Sequence, residues 1–416
     1  MPGLADNDEL KRTAVLLLAG GQGERLYPLT RDRAKPAVPF GGIYRIIDFT
    51  LSNCLNSGLR RINVLTQYKS SSLQRHLQLG WTIFRPELGE YMNVIPPQQR
   101  SGAHWYLGTA DAIYQNIYTL EREKPAHVLV LSGDHIYKMN YAHMINFHLS
   151  KGADMTVACF AVPTAKAARQ LGVLAADSEG RLIEFQEKPE QPAEMPGRPG
   201  FCYCSMGVYL FRTGVLVREV IADAKTDSAH DFGKNIIPSM VRKQEKVYAY
   251  EFKGDGASSE AYWRDIGTID AYWEANYDLV QVSPAFNLYD PDWPIRTWQP
   301  PAPPAKTVFN DPSGRQGRAV NSLVSHGCII SGGYVEESVL SPLVHVHSRA
   351  DVRQCVVMDE VDIGRGARIR RAIIDKRMLI PEGTVIGYDP EKDRARFTVS
   401  PGGIVVVPMG VRLPGP

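Results

Sequence analysis

The stretch AVLLLAGGQGERLYPLTRDRAKPAVPF, residues 14–40, decides how the rest of the chain is read. It opens on an apolar run, residues 14–18, that ends at glycine long before it could cross a membrane. Such a run predicts a buried strand. Gly20, Gly21 and Gly23 follow, with Arg25 just beyond. Glycines after a strand let the backbone turn tightly and let its N–H groups approach a phosphate. Two common phosphate loops are not spelled here. The spacing of the P-loop is missing, and Leu26 stands where the dinucleotide fingerprint has its third glycine. A plain strand-to-helix turn would account for the glycines alone. Arg25 and Lys35, the latter in Lys35-Pro36-Ala37, add two cations able to neutralise a polyphosphate. Either one, taken singly, reads as a solvated surface residue.

Outward from this stretch, a chain of 416 residues exceeds one core, so two domains are expected. Hydrophobic residues make up 44% and charged residues 22%, an ordinary soluble composition. A net charge of +2 and no long basic run argue against a nucleic-acid partner. Residues 1–12 are polar and do not read as a signal peptide, and no apolar run is long enough for a membrane helix. The six cysteines form no C-x-x-C pair and read as buried reduced thiols, which places the protein in the cytoplasm. His345 and His347 share a strand face, but no third ligand is evident, so no metal site is expected there.

Residues 14–152 alternate apolar strands with helical stretches: strands at 61–66 and 128–131, helices at 70–79 and 141–150. Alternation of this kind implies a mostly parallel sheet covered by helices, with its site at the strand C-termini. Asp134 ends the second of those strands and belongs on the same rim as the glycine loop. Alone, it reads as a turn or helix cap. Beside the loop's cations it becomes a candidate Mg²⁺ ligand, because magnesium prefers one or two carboxylates plus phosphate oxygens. Residues 182–187 read as a half-buried strand in which Ile183 and Phe185 share a face. A proline-rich stretch at 300–304 predicts a linker over 291–320. Beyond it the apolar residues recur every seventeen: Leu340, Val346 and Val352, then Val357, Ile363 and Ile369, then Ile374, Ile380 and Ile386, with Leu323, Ile329 and Val335 in the same register before them. Spacings of six, six and five cannot form a helix stripe. They predict four triangular coils of short strands stacked as a solenoid.

The run Leu18-Ala19-Gly20-Gly21-x-Gly23-x-Arg25-Leu26, then Lys35-Pro36-Ala37, resembles the signature of sugar-phosphate nucleotidyltransferases. Phe40-Gly41-Gly42, Arg45-Ile46-Ile47-Asp48-Phe49, Leu51-Ser52-Asn53 and Thr66-Gln67-Tyr68 narrow the resemblance to the bacterial glucose-1-phosphate adenylyltransferase family, over about residues 13–400. The resemblance implies a Rossmann-like α/β catalytic domain over 13–290 and a left-handed β-helix over 321–400. It implies transfer of the adenylyl group of ATP to glucose 1-phosphate, giving ADP-glucose for glycogen biosynthesis, with Mg²⁺ as cofactor and a homotetrameric assembly. It assigns Asp134 and Asp265 as the metal carboxylates, with Arg25 and Lys35 as the other catalytic residues. Gly20, Gly21, Gly23, Gln99, Gly108 and Thr109 fall to the nucleotide. Tyr106, Gly172, Glu187, Lys188, Ser205 and Asp231 fall to glucose 1-phosphate. Arg45 matches a regulator-contacting position.

Two rival readings stay open at this point. One is a sister sugar nucleotidyltransferase that uses another base. The other is a non-catalytic regulatory subunit, which typically loses the motif residues retained here. The chain departs from enterobacterial members at Asp32, where they carry lysine, and at Pro39, where they carry histidine. A bisphosphate activator would meet a repulsive carboxylate at Asp32, so activation by fructose 1,6-bisphosphate is expected to be weak or replaced.

Overall fold

The computed structural model describes residues 7–98, 105–254 and 261–414. The Thr13–Ala19 strand lies at the middle of a nine-stranded sheet, between His127–Ser132 and Arg61–Thr66, and Tyr91–Ile95 follows outside. These four strands are parallel, in the register Leu17↔Val64 and Leu17↔Leu131. Val15, Leu16 and Leu17 are fully buried, which is why their run is continuously apolar rather than alternating. Burial of each such side chain contributes about 1.5–3 kcal/mol. Helices Ile46–Asn56, Ser71–Gly80 and Tyr141–Ser150 cover one face.

Beyond His127–Ser132 the sheet turns antiparallel. The long strand Phe201–Arg212 pairs with it and also carries Met155–Pro163 and Gly172–Ala176. Leu182–Glu187 closes that edge. The expected shared face of Ile183 and Phe185 does not form. A register shift between Leu182 and Glu184 leaves Ile183 exposed and Phe185 buried, as an extra residue in a strand does.

The second domain is a stack of short parallel strands in three sheets, consistent with a left-handed β-helix. It has five coils rather than the four expected. Lys306–Val308 and Arg318–Val320 pair in parallel with Ile329–Ser331 and Tyr334–Glu336, so the first coil lies inside the stretch expected to be linker. The inserted loop at 309–317 hides that coil from a seventeen-residue period. The residues that precede it are not a free tether. Trp293 Nε1 donates to Asn53 Oδ1, Arg296 N to Ser52 Oγ and Thr297 Oγ1 to Asp48, which lays this segment on the catalytic domain.

The apolar register also corrects at one coil. Val324 and Ile330, not Leu323 and Ile329, align with Leu340 and Val346, while Val335 aligns with Val352 as expected. The corner at Gly332-Gly333 takes one residue fewer than its counterparts. Gly332 has φ +73, and a side chain on Gly333 would lie 2.7 Å from Val346 Cγ1, so only glycine turns that tightly there. Leu323 instead joins the cluster between the domains.

One solenoid face docks on the catalytic domain. Val356, Met358, Ile373, Ile404 and Val406 pack with Leu26, Phe40, Phe49, Tyr272 and Trp273. Within this apolar seam Arg33 donates twice to the Asp375 carboxylate, at 2.8 and 3.0 Å, with both side chains buried. Lys376 pairs with Asp359 at 3.0 Å in the same seam. Burial, then the nearby Arg45 cation, lowers the Lys376 ammonium to about 8 despite Asp359.

Candidate active site

The glycine loop leaves the carboxyl end of Thr13–Ala19 and lines a cleft of about 590 Å³. Gly20, Gly21, Gly23, Arg25, Lys35, Thr109, Ser132, Asp134 and Gly267 all border it. Gly23 is left-handed, φ +65, at the entry to the tight turn Glu24–Leu26 that presents Arg25. A larger groove of about 760 Å³ runs beside Tyr91–Ile95, but it gathers no carboxylate pair and no glycine loop.

Three elements far apart in sequence meet at the rim. Lys35 opens the tight turn Lys35–Ala37. Asp134 follows the His127–Ser132 strand. Asp265 ends the short strand Trp263–Asp265, which pairs with His135–Tyr137 so that Asp265 lies opposite His135. The Lys35 ammonium sits 2.9 Å from both Asp134 Oδ2 and Asp265 Oδ1. Arg25 reaches Asp265 Oδ2 at 3.6 Å and is otherwise open to the cleft.

The charges follow from this geometry. Burial pushes the Asp134 carboxyl up, but the Lys35 cation, His135 and hydrogen bonds from Ser132 and Lys35 outweigh it and hold Asp134 far below the usual carboxylate range. Burial lowers Lys35, and the two carboxylates more than restore it, so its pKa is raised. Asp134 therefore lines the cleft beside a cation, and Asp265 holds the same Lys35 ammonium. Asp134, His135 and Asp265 offer ligand atoms within 4.8 Å of one another.

A second group of side chains lies around the antiparallel half of the sheet. Glu187 and Gly172 face each other across a strand pair. Burial raises the Glu187 carboxyl, with Asp231 adding to it, against the opposing Lys188 and Lys234 cations. Asp231 caps the turn Phe232–Ile236 by accepting from Gly233 N and Lys234 N. Its other oxygen accepts from Thr109 Oγ1 at 3.0 Å. Thr109 also borders the glycine-loop cleft, so it joins the two groups. Gly108 immediately precedes it, packed against the His230 carbonyl. Ser205 accepts from Gly207 N. Lys188, with φ +50, reaches Glu187 at 3.9 Å and is exposed.

Tyr106 packs at the edge of the apolar cluster with Phe185, Tyr209 and Phe232, and its hydroxyl accepts from Asn116 Nδ2 at 3.0 Å. Gln99 lies outside the described residues. Arg45 is removed from the cleft: its side chain donates to the Ala37 carbonyl, and it faces Asp359 and Asp375 of the solenoid.

Ser132 and His135 were missed by sequence reasoning. Ser132 donates to Asp134, and His135 Nε2 lies 3.4 Å from Asp134 Oδ1. Burial depresses the His135 pKa, so its ring is neutral near pH 7. Their position, two residues before and one after Asp134, was the available signal.

The family model for nucleotidyl transferases matches residues 14–282, and the model for the GlmU-like C-terminal hexapeptide region matches residues 303–407. The chain is 52% identical to the glucose-1-phosphate adenylyltransferase of Rhodopirellula baltica, covering all of this chain and 94% of the relative. It is 52% identical to glucose-1-phosphate adenylyltransferase 2 of Alkalilimnicola ehrlichii, over 95% of this chain and 93% of the relative. It is 53% identical to the glucose-1-phosphate adenylyltransferase of Koribacter versatilis, over 95% of both chains.

Proposed function

Because the chain belongs to the glucose-1-phosphate adenylyltransferase family of nucleotidyl transferases, we propose that its rim performs adenylyl transfer with the residues as follows. A phosphate oxygen of glucose 1-phosphate attacks the α-phosphorus of ATP. The new O–P bond forms as the bond to the β-phosphate oxygen breaks, and pyrophosphate leaves with that electron pair. No general base is required, since the attacking oxygen is already ionised near neutral pH. Catalysis is then alignment and charge neutralisation.

The loop amides at Gly20, Gly21 and Gly23, with Arg25, hold the triphosphate and take up charge on the leaving group. Lys35 keeps Asp134 ionised, pairs with Asp265 and adds a cation beside the phosphates. Asp134 and Asp265 would hold Mg²⁺. The donor set fits, being two hard carboxylates with oxygens on one rim. When bound, the ion supplies charge stabilisation at the reacting phosphoryl group. Lys188 anchors the sugar phosphate. Glu187 and Asp231 accept from sugar hydroxyls, with Gly172, Ser205 and Tyr106 shaping that half of the site. Gly108 and Thr109 border the nucleotide, and Gln99 reads the adenine edge. The observation that carries this reading is Lys35 bridging Asp134 and Asp265 at the mouth of the glycine-loop cleft.

We further propose a homotetramer, supported by a solenoid whose end needs capping, and a cytoplasmic location, supported by six unpaired buried thiols. Among the described residues, no helix is long and apolar enough to cross a membrane. Arg45 is proposed as an effector-linked residue. Weak activation by fructose 1,6-bisphosphate is proposed from Asp32, which is exposed and paired with Arg31 at 2.9 Å.

The test is pyrophosphate release with glucose 1-phosphate, comparing ATP with UTP, GTP and dTTP, with and without Mg²⁺. Release selective for ATP and dependent on Mg²⁺ is expected. Release with UTP or dTTP would make the chain a sister transferase. Silence with every nucleotide would make it a regulatory subunit.

A further inference from the structure

The hexapeptide solenoid carries a second cluster of ligand-type side chains, far in character from the catalytic rim. His345 and Asp362 are register partners on adjacent parallel strands, His345–Val346 and Asp362–Ile363. Val346 and Ile363 are fully buried in the solenoid core. Their strand neighbours His345, His347 and Asp362 therefore point outward on one face, since side chains alternate. His347 Nε2 lies 2.9 Å from Asp362 Oδ1, and His345 Nδ1 lies 3.8 Å from Asp362 Oδ2. The imidazole centroids are 3.8 Å apart and tilted by 33°. One nitrogen from each ring and one carboxylate oxygen lie within 4.8 Å of one another.

The two imidazoles lie tilted against each other, and Asp362 contacts only the His347 ring at hydrogen-bond distance. An ion pair alone does not use the second ring. A metal uses both, because each ring carries a nitrogen able to ligate. Bonds of 2.0–2.1 Å in a tetrahedral shell set donors about 3.3 Å apart. That separation falls within the present spread, so side-chain rotation suffices. The solenoid fixes the backbone on both sides: His345 N and His347 N donate to the Val361 and Ile363 carbonyls at 2.9 Å.

We propose that His345, His347 and Asp362 form a binding site for a borderline divalent ion of the Zn²⁺ class, with the remaining position open to water or a further ligand. Two nitrogens and one oxygen suit Zn²⁺ and its neighbours, whereas the rim, with the two carboxylates of Asp134 and Asp265 and a single imidazole, His135, suits Mg²⁺ better. The two sites thus sort their metals by donor chemistry.

The experiment is a Zn²⁺ titration of the full chain by calorimetry in excess Mg²⁺, with Co²⁺ as a spectroscopic probe. One Zn²⁺ per chain is expected, and Co²⁺ should give the intense visible bands of a four-coordinate N/O site. His347→Gln and Asp362→Asn should each weaken Zn²⁺ binding by at least about tenfold, with Tm and Mg²⁺-supported turnover unchanged. Asp134→Ala should leave Zn²⁺ affinity as it is. The proposal is overturned if Zn²⁺ does not bind stoichiometrically in Mg²⁺, if His347→Gln binds as wild type does, or if affinity is lost with Asp134→Ala instead.

Discussion

Arg33 and Lys35 stand two residues apart, both buried, and both answered by aspartate. Arg33 turns into the seam and meets one carboxylate, Asp375, from the solenoid. Lys35 turns into the cleft and meets two, Asp134 and Asp265, from the catalytic domain. The first pair is buried in the seam, with Met358 Sδ against Arg33 and the Lys376 and Met409 amides donating to Asp375. The second borders a cavity large enough for a nucleotide's phosphates. Similar chemistry thus gives docking in one place and, in the proposed reading, a reactive rim in the other, where the pair borders an open cleft. Lys376 sharpens the contrast. It faces one carboxylate among arginines and is depressed to about 8. Lys35 faces two carboxylates and is raised.

The comparison breaks most visibly at Asp134. Asp134→Ala should lower kcat for ADP-glucose formation by about 10³-fold or more, with the fold retained by circular dichroism. A loss of under tenfold would mean the rim is not the reacting centre. Next in size, Arg33→Met leaves Asp375 buried without its partner. It should cost about 3–5 kcal/mol of stability, read as a lower Tm and faster proteolysis near the seam, while kcat in the surviving fold falls far less than at the rim. Adding Asp375→Leu to Arg33→Met should recover most of that loss, because the apolar pair no longer buries a lone charge. If the double variant is no better than the single, the seam pair is more than an ion pair.

The smallest effect is a titration. Lys376 has a folded pKa near 8, below its unfolded value of 10.5. Between those values the unfolded chain binds more protons, so this group's contribution to stability rises with pH across roughly 8 to 10.5. Lys35 behaves oppositely. Its pKa is raised, so its contribution is present below 10.5 and is lost only as pH climbs through its folded value. Amine acetylation followed by mass spectrometry against pH should show Lys376 gaining reactivity near pH 8 while Lys35 stays protected. Equal profiles would erase the distinction.

Much of this contrast was legible in the sequence, unevenly. The glycine loop, Arg25 and Lys35 were legible as local features, a turn and two charges, although either cation alone reads as a solvated surface residue. Asp134 read from its place at a strand end. Asp265 came only from resemblance, since no local pattern joins residues 131 positions apart. The solenoid's period was clear from Val335 onward. Its first coil was not, because residues 309–317 interrupt the repeat, and the short Gly332-Gly333 corner shifts the register by one. Asp362 was overlooked as a partner of His345 although the seventeen-residue period places it there. Arg33–Asp375 had no signal at all, because docking between domains depends on surfaces that no single stretch describes.

The most direct test of the account is the paired change in kcat and Tm for Lys35→Met, set beside Arg33→Met, in saturating Mg²⁺, ATP and glucose 1-phosphate. Lys35→Met should lose about 10²–10³-fold in kcat while its Tm moves by only a few degrees, the reverse of the Arg33 pattern. A Lys35→Met enzyme that keeps its kcat and loses its fold would contradict the account, and would make Lys35 a second structural cation rather than part of the reacting rim.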